Sequence, residues 1–383
     1  MASVDFTSFL KLMAHKKASD LFITAGVAPS IKVHGRIVPV TQETLTPQQA
    51  RDMVLNVMTP QQREEFEKTH ECQFAIGVSG VGRFRVSCFY QRNHVGMVLR
   101  RIETKVPTFE ELNLPAILKQ LSMTKRGIII FVGATGTGKS TSLAAMVGYR
   151  NKNSTGHIIT IEDPIEYVHR HEGCIITQRE LGIDTDSWEN ALKNTLRQAP
   201  DVIMIGEVRT RETMEHAINF SETGHLVLCT LHANNANQAL DRIIHFFSED
   251  RREQLFMDLS LNLKGVIAQQ LIPTPDGKAR RVAMEIMLGT PLVQDYIRKG
   301  EIHKLKDVMK ESTNLGMQTF DQSLFTLYQA GEISYEDALR HADSANEVRL
   351  KIKLAQGGDA HTLSQGLDGV ELEESGDENT MRF

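Results

Sequence analysis

No apolar run in this 383-residue chain approaches the ~20 residues that a membrane-spanning helix requires, so direct membrane insertion is not expected. The opening Met1-Ala-Ser-Val-Asp-Phe6 lacks both a basic n-region and an apolar h-region, and no signal peptide is expected. Cysteine is scarce: Cys72, Cys88, Cys174 and Cys229 are scattered, with no C-x-x-C pair. That spacing speaks against a zinc or disulfide framework and suits reduced thiols in a cytoplasm. No internal repeat is present. A strong charge bias is missing too. The net charge is −5, but seven acidic residues against Arg382 place −6 between Gly357 and Phe383, leaving the rest near +1. A near-neutral body lacks the basic footprint of nucleic-acid binders, so nucleic acid is not an expected partner. The acidic segment carries glycines and no periodic apolar face, and it reads as a disordered tail.

What the chain does have is a phosphate loop. Gly133-Ala-Thr-Gly136-Thr-Gly138-Lys139-Ser140 follows the apolar run Ile128-Ile-Ile-Phe-Val132 and precedes the helix-like Ser142-Leu-Ala-Ala-Met-Val147. Strand, glycine loop and helix together are the context that makes G-x-x-x-x-G-K-[ST] a triphosphate site. Glycines let successive backbone N–H groups converge on phosphate oxygens, and the helix N-terminus adds partial positive charge. Lys139 is expected at the β- and γ-phosphates, and the Ser140 hydroxyl on Mg²⁺. Chance gives such a match roughly once in a hundred chains of this length, and the flanking elements lower that further.

With 41% apolar and 24% charged residues, the chain is long enough for two globular domains. Residues 1–105 read as a small α/β domain. Phe6, Phe9, Leu10 and Met13 share one face of an opening helix. Strands are expected at Leu21–Ile23 and at 31–38 around a Gly35 turn, and Thr46-Pro47 opens a second helix. Arg83–Tyr90 and Val95–Arg100 alternate like a hairpin. Residues 106–112 are a linker, 113–355 a second α/β domain, and 356–383 the tail. In that second domain, apolar runs at Ile128–Val132, Ile158–Ile161, Val202–Ile205 and Leu226–Leu231 alternate with helical stretches, as in a parallel sheet covered on both faces. Asp186 and Glu189 form a capping-box pattern for a helix closed by Ala199-Pro200. Beyond residue 250 the chain reads as mostly helical, interrupted by a hairpin-like turn at 271–278.

Three further segments fall at the ends of these strands, where ligands gather in open α/β sheets. Thr160-Ile-Glu162-Asp163-Pro164-Ile-Glu166 supplies carboxylates able to orient and deprotonate water or to hold Mg²⁺. Apart from the loop it would read as an Asp-Pro turn with solvated acids. Pro200-Asp201-Val-Ile-Met-Ile-Gly206-Glu207 resembles a Walker B strand whose usual final Asp is Gly206, with Glu207 one residue later facing metal and water. Thr223-Gly224-His225 to His232 carries two histidines seven apart, too distant for one metal. His232 is the better placed to sense a γ-phosphate.

Taken in order, the four boxes resemble the Walker A, Asp, Walker B and His boxes of the type II/IV secretion ATPases. Ala18-Ser-Asp-Leu21, Gly82-Arg-Phe-Arg-Val86 and Leu315-Gly-Met-Gln-Thr-Phe-Asp321 resemble its retraction branch, the PilT/PilU family, and the helical C-terminus with its acidic tail lies nearest the PilU side. The likeness runs from about residue 10 to about 345. It implies a PAS-like N-terminal domain, a RecA-like P-loop ATPase domain with a helical C-terminal part, and a hexameric ring using ATP and Mg²⁺. It assigns Glu162 as catalytic glutamate, Glu207 as the Walker B acid, and Thr135, Gly136, Thr137, Gly138, Lys139, Ser140 and Thr141 to nucleotide and metal. It adds His225 and His232, and the N-terminal arginines Arg83, Arg85 and Arg100 reaching the phosphates. A planar, permanently charged guanidinium suits that last role. Where PilT-type relatives carry Ala-Ile-Arg-x-Leu-Ile-Arg-Glu, this chain reads Leu292-Val-Gln294-Asp-Tyr-Ile-Arg298. The first arginine position is therefore Gln294, which fits an accessory motor beside a PilT-type ATPase. The expected function is type IV pilus retraction in twitching motility, by a cytoplasmic ring peripheral at the inner membrane, working on a separate platform protein. Rival readings are a pilus assembly or secretion ATPase, a nucleotide-binding ring adaptor, and a nucleic-acid translocase. A missing Cys₄ zinc insertion disfavours the first and the near-neutral body the last.

Overall fold

Two β-sheets organise the chain in the computed structural model, which describes residues 6–33 and 35–356. The acidic tail expected to be disordered lies, from residue 357, outside the described residues. The first sheet is fully antiparallel, in the order β3-β2-β1-β6-β5-β4. Its strands are β1 (Asp20–Thr24), β2 (Ser30–Val33), β3 (Arg36–Pro39), β4 (Glu71–Val78), β5 (Gly82–Gln91) and β6 (His94–Ile102). Its core is built as the pattern implies. The opening helix Phe6–Lys16 buries Phe9, Leu10 and Met13 against Leu21, Phe84, Val86, Met97 and Leu99. Each buried side chain of this size contributes roughly 1.5–3 kcal/mol. Helices Pro47–Asn56 and Pro60–Thr69 both start on a threonine capping box with proline in the first turn, Thr46 with Gln49 and Thr59 with Gln62. The β5–β6 hairpin turns on Arg92 and Asn93, both at positive φ, the two-residue geometry that matches strand twist.

The second sheet has seven strands in the order β13-β12-β7-β11-β10-β8-β9. They are β7 (Gly127–Val132), β8 (Gly156–Glu162), β9 (Cys174–Glu180), β10 (Val202–Ile205), β11 (Leu226–Leu231), β12 (Leu263–Pro273) and β13 (Arg280–Leu288). Neighbours from β12 through β9 pair in parallel. Every residue of β7, β10 and β11 is buried. That is the signature of a sheet covered on both faces, which their unbroken apolar sequence implied.

Four strands were not expected. β12 and β13 replace the mostly helical reading beyond residue 250, β9 falls in a stretch read as helical, and β4 falls where no element was assigned. A short apolar run such as Val266-Ile-Ala268 just after a helix cannot be told from a buried helical segment by periodicity. One cap also shifts. Ser187, not Asp186, begins the helix Trp188–Thr195 by accepting the N–H of Asn190 at 3.1 Å. A hydroxyl at the N-cap serves as well as a carboxylate, and the local pattern allowed either. The turn at 274–279 is as anticipated, with Gly277 at φ +67°.

The described chain divides into two compact units. One holds residues up to Gln270 together with Glu285–Met317, and so contains both the antiparallel sheet and most of the parallel one. The other holds Leu271–Met284 and residues from Gln318 on. In it, Asp321 accepts the N–H groups of Asp343 and Ser344 at 2.8 and 3.1 Å, anchoring the start of the helix Ala345–Ala355 to the helix Phe320–Gln329. Among the described residues no helix is long and apolar enough to cross a membrane. All four cysteines are free and buried.

Candidate active site

Strand order places the chemistry. β7, β11, β10 and β8 are consecutive neighbours, so the loops leaving their C-terminal ends stand side by side. Those strand ends and the segments that follow them carry Lys139, His232, Glu207 and Glu162. Register aligns the exits: Val132 lies opposite Leu231, Cys229 opposite Ile205, and Ile205 opposite Ile161.

The loop from Gly133 to Gly138 leads into the helix Lys139–Asn153. Gly133 is obligatory on two counts. Its φ is +149°, and a Cβ there would come within 2.6 Å of both the Gln269 carbonyl and Thr137 Oγ1. Thr137 donates to the Ala134 carbonyl at 2.9 Å, closing the loop on itself. The amide N–H groups from 135 to 139 have no acceptor among the described residues, which leaves a row of donors for an anion. Lys139 Nζ lies across the loop, donating to the carbonyls of Gly133 and Ala134 at 2.7 and 2.9 Å. Burial pushes its pKa down, and the nearby carboxylates Glu207 and Glu166 oppose that shift. Ser140 is exposed at the first turn, and Thr141 Oγ1 lies 3.2 Å from the Tyr167 hydroxyl.

Glu162 ends β8 and is buried. Its Oε1 accepts from Thr160 Oγ1 at 2.6 Å and from Gln178 Nε2 at 3.0 Å. Burial dominates these two bonds and pushes the carboxyl pKa up to about 7. Glu207, past the end of β10, is held from two sides: Arg209 Nη2 at 2.6 Å and His232 Nε2 at 3.1 Å. The other ring nitrogen of His232 lies 3.3 Å from the Gly133 carbonyl, so one imidazole links the acid to the phosphate loop. A depression of ≈ 310 Å³ opens beside it, lined by Gly133, Ala134, His232, Asn234, Gln238 and Arg242. Gly206 explains the altered Walker B pattern. A Cβ there would meet Glu162 Cα and the Ile161 carbonyl at 3.1 Å, so glycine lets the ends of β8 and β10 close together.

The sequence reading brought together Thr135, Gly136, Thr137, Gly138, Lys139, Ser140, Thr141, Glu162, Glu207 and His232, and they share this end of the sheet. His225 does not, which corrects its assignment to nucleotide. It stands at the opposite end of β11, roughly 23 Å from His232 at ~3.3 Å per residue. There its Nδ1 lies 3.0 Å from the Phe220 carbonyl and 3.1 Å from Thr223 Oγ1, closing the end of the helix Arg211–Glu222. The three arginines lie on the antiparallel sheet, with Arg85 opposite Arg100. Arg100 is held there by Asp20 at 2.9 Å. Arg85 reaches out of its sheet toward Glu180.

Other residues of this site went unread. Gln269, buried in β12, accepts from Ser142 Oγ at 2.8 Å and donates to the Thr137 carbonyl at 2.7 Å, bracing loop and helix together. Its signal was there, a polar Gln269-Gln270 pair inside an apolar run. Gln178 bonds both Glu162 and the Tyr167 carbonyl, the latter at 2.9 Å. A cavity of ≈ 550 Å³ follows the flank of the helix Lys139–Asn153, lined by residues 104–110, Gly148, Tyr149 and His169. Among the described residues no group of three or more His, Cys, Asp or Glu could hold a metal by itself. Mg²⁺ does not need one, since one or two protein oxygens and substrate phosphates suffice. Ser140 and Glu207, beside a row of open amides and a lysine held only by carbonyls, fit a metal-bound triphosphate.

The family follows from comparison with known proteins. A family model described as "Type II/IV secretion system protein" matches residues 5–347. The chain belongs to that family. The type IV pilus ATPase PilU of Pseudomonas aeruginosa is 68% identical over 379 residues, covering 99% of each chain. The retraction ATPase PilT of the same organism is 40% identical over 339 residues, 88% of this chain and 98% of its own. A crystal structure described as the pilus retraction motor PilT with bound ADP matches with a TM-score of 0.84 and 38% identity, covering 90% of this chain and 99% of that one. Like these relatives the chain is a nucleotide-binding P-loop ATPase, of mixed α/β fold with a parallel sheet.

Proposed function

We propose that this chain hydrolyses ATP to drive type IV pilus retraction, as a homo-hexameric ring acting beside a PilT-type motor. One observation carries the reading: Lys139, Glu162, Glu207 and His232 converge at the C-terminal end of one parallel sheet. The loop amides of 135–139 and Lys139 cradle the phosphates, with Thr141 and Tyr167 flanking them. Ser140 and Glu207 would hold Mg²⁺, which when bound offsets charge on the transferring phosphoryl. Glu162 in its ionised form orients and deprotonates the attacking water, and Thr160 and Gln178 favour that form. His232, linked to both Glu207 and the loop, reports the state of the γ-phosphate. Arg83, Arg85 and Arg100 approach from the N-terminal domain (1–105), across the linker (106–112) from the ATPase domain (113–355). The cavity beside Gly148 and Tyr149 begins at Ala145, about 9 Å along the helix from Lys139 at ~1.5 Å per residue, a reach that suits a heteroaromatic base.

The accessory role rests on Gln294. It donates to the Gly289 carbonyl at 3.2 Å where PilT-type relatives place an arginine. A ring adaptor that binds nucleotide without turnover is favoured by the same residue, and both catalytic carboxylates oppose it. The ring sits at the cytoplasmic face of the inner membrane against a platform protein that anchors it. The test has two arms. Purified chain should release phosphate from Mg-ATP and lose at least about 10³-fold on Glu162→Gln, with nucleotide binding kept. A deletion strain should lose twitching, and the Glu162→Gln gene should fail to restore it. Full complementation by that variant would leave the adaptor reading standing and refute the motor.

A further inference from the structure

β9 ends on a carboxylate that the site as described does not use. Glu180 lies directly opposite Glu162 in the β8–β9 register and is fully buried. Its Oε1 has no hydrogen-bond partner among the described residues, and its Oε2 accepts a long N–H bond from Ile165 at 3.4 Å. A cation from the other sheet faces it. Arg85 Nε stands 3.6 Å from Oε1, and Gln73 accepts from the same guanidinium at 3.0 Å. Burial pushes the Glu180 carboxyl pKa up, and the Ile165 N–H and the charges of Arg85 and then of Arg83, two residues back on β5, oppose that shift. Arg83 Nε is likewise buried without a partner among the described residues. Arg100 differs: Asp20 satisfies it within its own sheet. A buried carboxylate without a cation is strongly unfavourable, so the Glu180 contact fixes where β5 meets the parallel sheet. That place is one strand away from Glu162.

We propose that Glu180 is a positioning residue that anchors Arg85, with Arg83 alongside, at the catalytic edge of the parallel sheet. The inference rests on the reading in which these arginines act on the transferring phosphoryl. An arginine serving that charge must already stand in place when it develops, and a displacement of about 1 Å costs about 10²-fold. Holding the guanidinium against a fixed carboxylate supplies that placement. Because the effect is on the transition state, Glu180 should govern kcat and leave KM for ATP nearly unchanged.

The experiment is a double-mutant cycle on the full chain, with kcat and KM for Mg-ATP measured for Glu180→Gln, Arg85→Ala and the pair. Glu180→Gln should lower kcat about 10²-fold with KM within about threefold. In the Arg85→Ala background the same change should cost no more than about twofold, because the group it positions is gone. Glu180→Asp, which keeps the charge, should recover part of the loss, and it replaces Glu180→Gln in the cycle if that variant melts early. Loss of a neighbouring charge from Glu162 occurs in both backgrounds and cancels. Equal losses in both backgrounds, or an unchanged kcat for Glu180→Gln, overturn the proposal while leaving the arginine reading intact. An unchanged kcat for Arg85→Ala refutes that reading and the positioning role with it.

Discussion

The protonation of Glu162 offers the sharpest test of the active site. Its carboxyl is buried and pushed up to about 7, against the lowering effect of the bonds from Thr160 and Gln178. Only the ionised form can take a proton from water, so kcat/KM for Mg-ATP should rise with pH along a limb centred near 7. Thr160→Val keeps the shape of the side chain and removes a 2.6 Å bond to the carboxylate. A hydrogen bond to a charged group is worth about 1.5 kcal/mol or more, which is about one pH unit. Losing a bond that favours the anion raises the pKa, so the limb moves up to about 8. At pH 7 the ionised fraction then falls from about one half to about one tenth, and the rate drops about fivefold. Comparing the two proteins cancels the titration of ATP itself. A thermodynamic readout runs in parallel. The folded state holds this proton more tightly than the unfolded chain, so the related stability is present below the unfolded pKa and is lost as pH rises through about 7. Glu162→Gln should remove that slope and make the protein more stable at pH 8 by up to about 3 kcal/mol, with little effect near pH 4. Coincident limbs for wild type and Thr160→Val, or a limb that moves down, would refute the assignment of the limb to this carboxyl.

Gly206→Val should press the end of β10 against Glu162 Cα and the Ile161 carbonyl, which a Cβ would meet at 3.1 Å. Turnover should fall about 10²-fold while a fluorescent ATP analogue still binds, since the phosphate loop is untouched. Gln269→Leu leaves the Ser142 hydroxyl and the Thr137 carbonyl unpaired. It should lower stability by about 3 kcal/mol in thermal unfolding and raise KM for ATP as the loop loosens. Gly148→Leu should fill the cavity where a Cβ already meets Val106 at 3.2 Å. KM for ATP should then rise with kcat unchanged, and unchanged binding would place the base elsewhere.

The phosphate loop, Glu162, Glu207 and His232 were legible because each sits in a local pattern tied to a strand end, and a parallel sheet gathers its strand ends by construction. β7, β10 and β11 were legible for a related reason: burial on both faces leaves an unbroken apolar run. What failed were contacts between segments far apart in sequence. Gln269 is 132 residues from the Thr137 carbonyl it braces, and nothing near position 269 names that partner. β9 alternates only weakly in burial and offered no clear period. The strand between His225 and His232 already favoured His232 for the γ-phosphate; the resemblance gave His225 to nucleotide as well, and β11 places it at the opposite rim.

The electrostatics of the site explain why recognition and chemistry can be coupled there. Each reactive group is held by a stand-in from the chain itself: Lys139 by the carbonyls of Gly133 and Ala134, Glu207 by Arg209 and His232, Glu162 by Thr160 and Gln178. A triphosphate would offer Lys139 a full negative charge where the carbonyls offer partial ones, and a cation bound with it would compete with Arg209 and His232 for Glu207. Exchanging those partners at Lys139 and at Glu207 must act on one shared element, because the Gly133 carbonyl touches both Lys139 and His232. Drawing Lys139 off that carbonyl frees it toward the imidazole, and the imidazole carries the change to Glu207. If that link is the route, His232→Ala should leave ATP affinity nearly intact and lower kcat. It should also erase the difference in hydrogen exchange at the β10 end between ATP-bound and ADP-bound protein. Persistence of that difference in the variant would mean the γ-phosphate is read elsewhere.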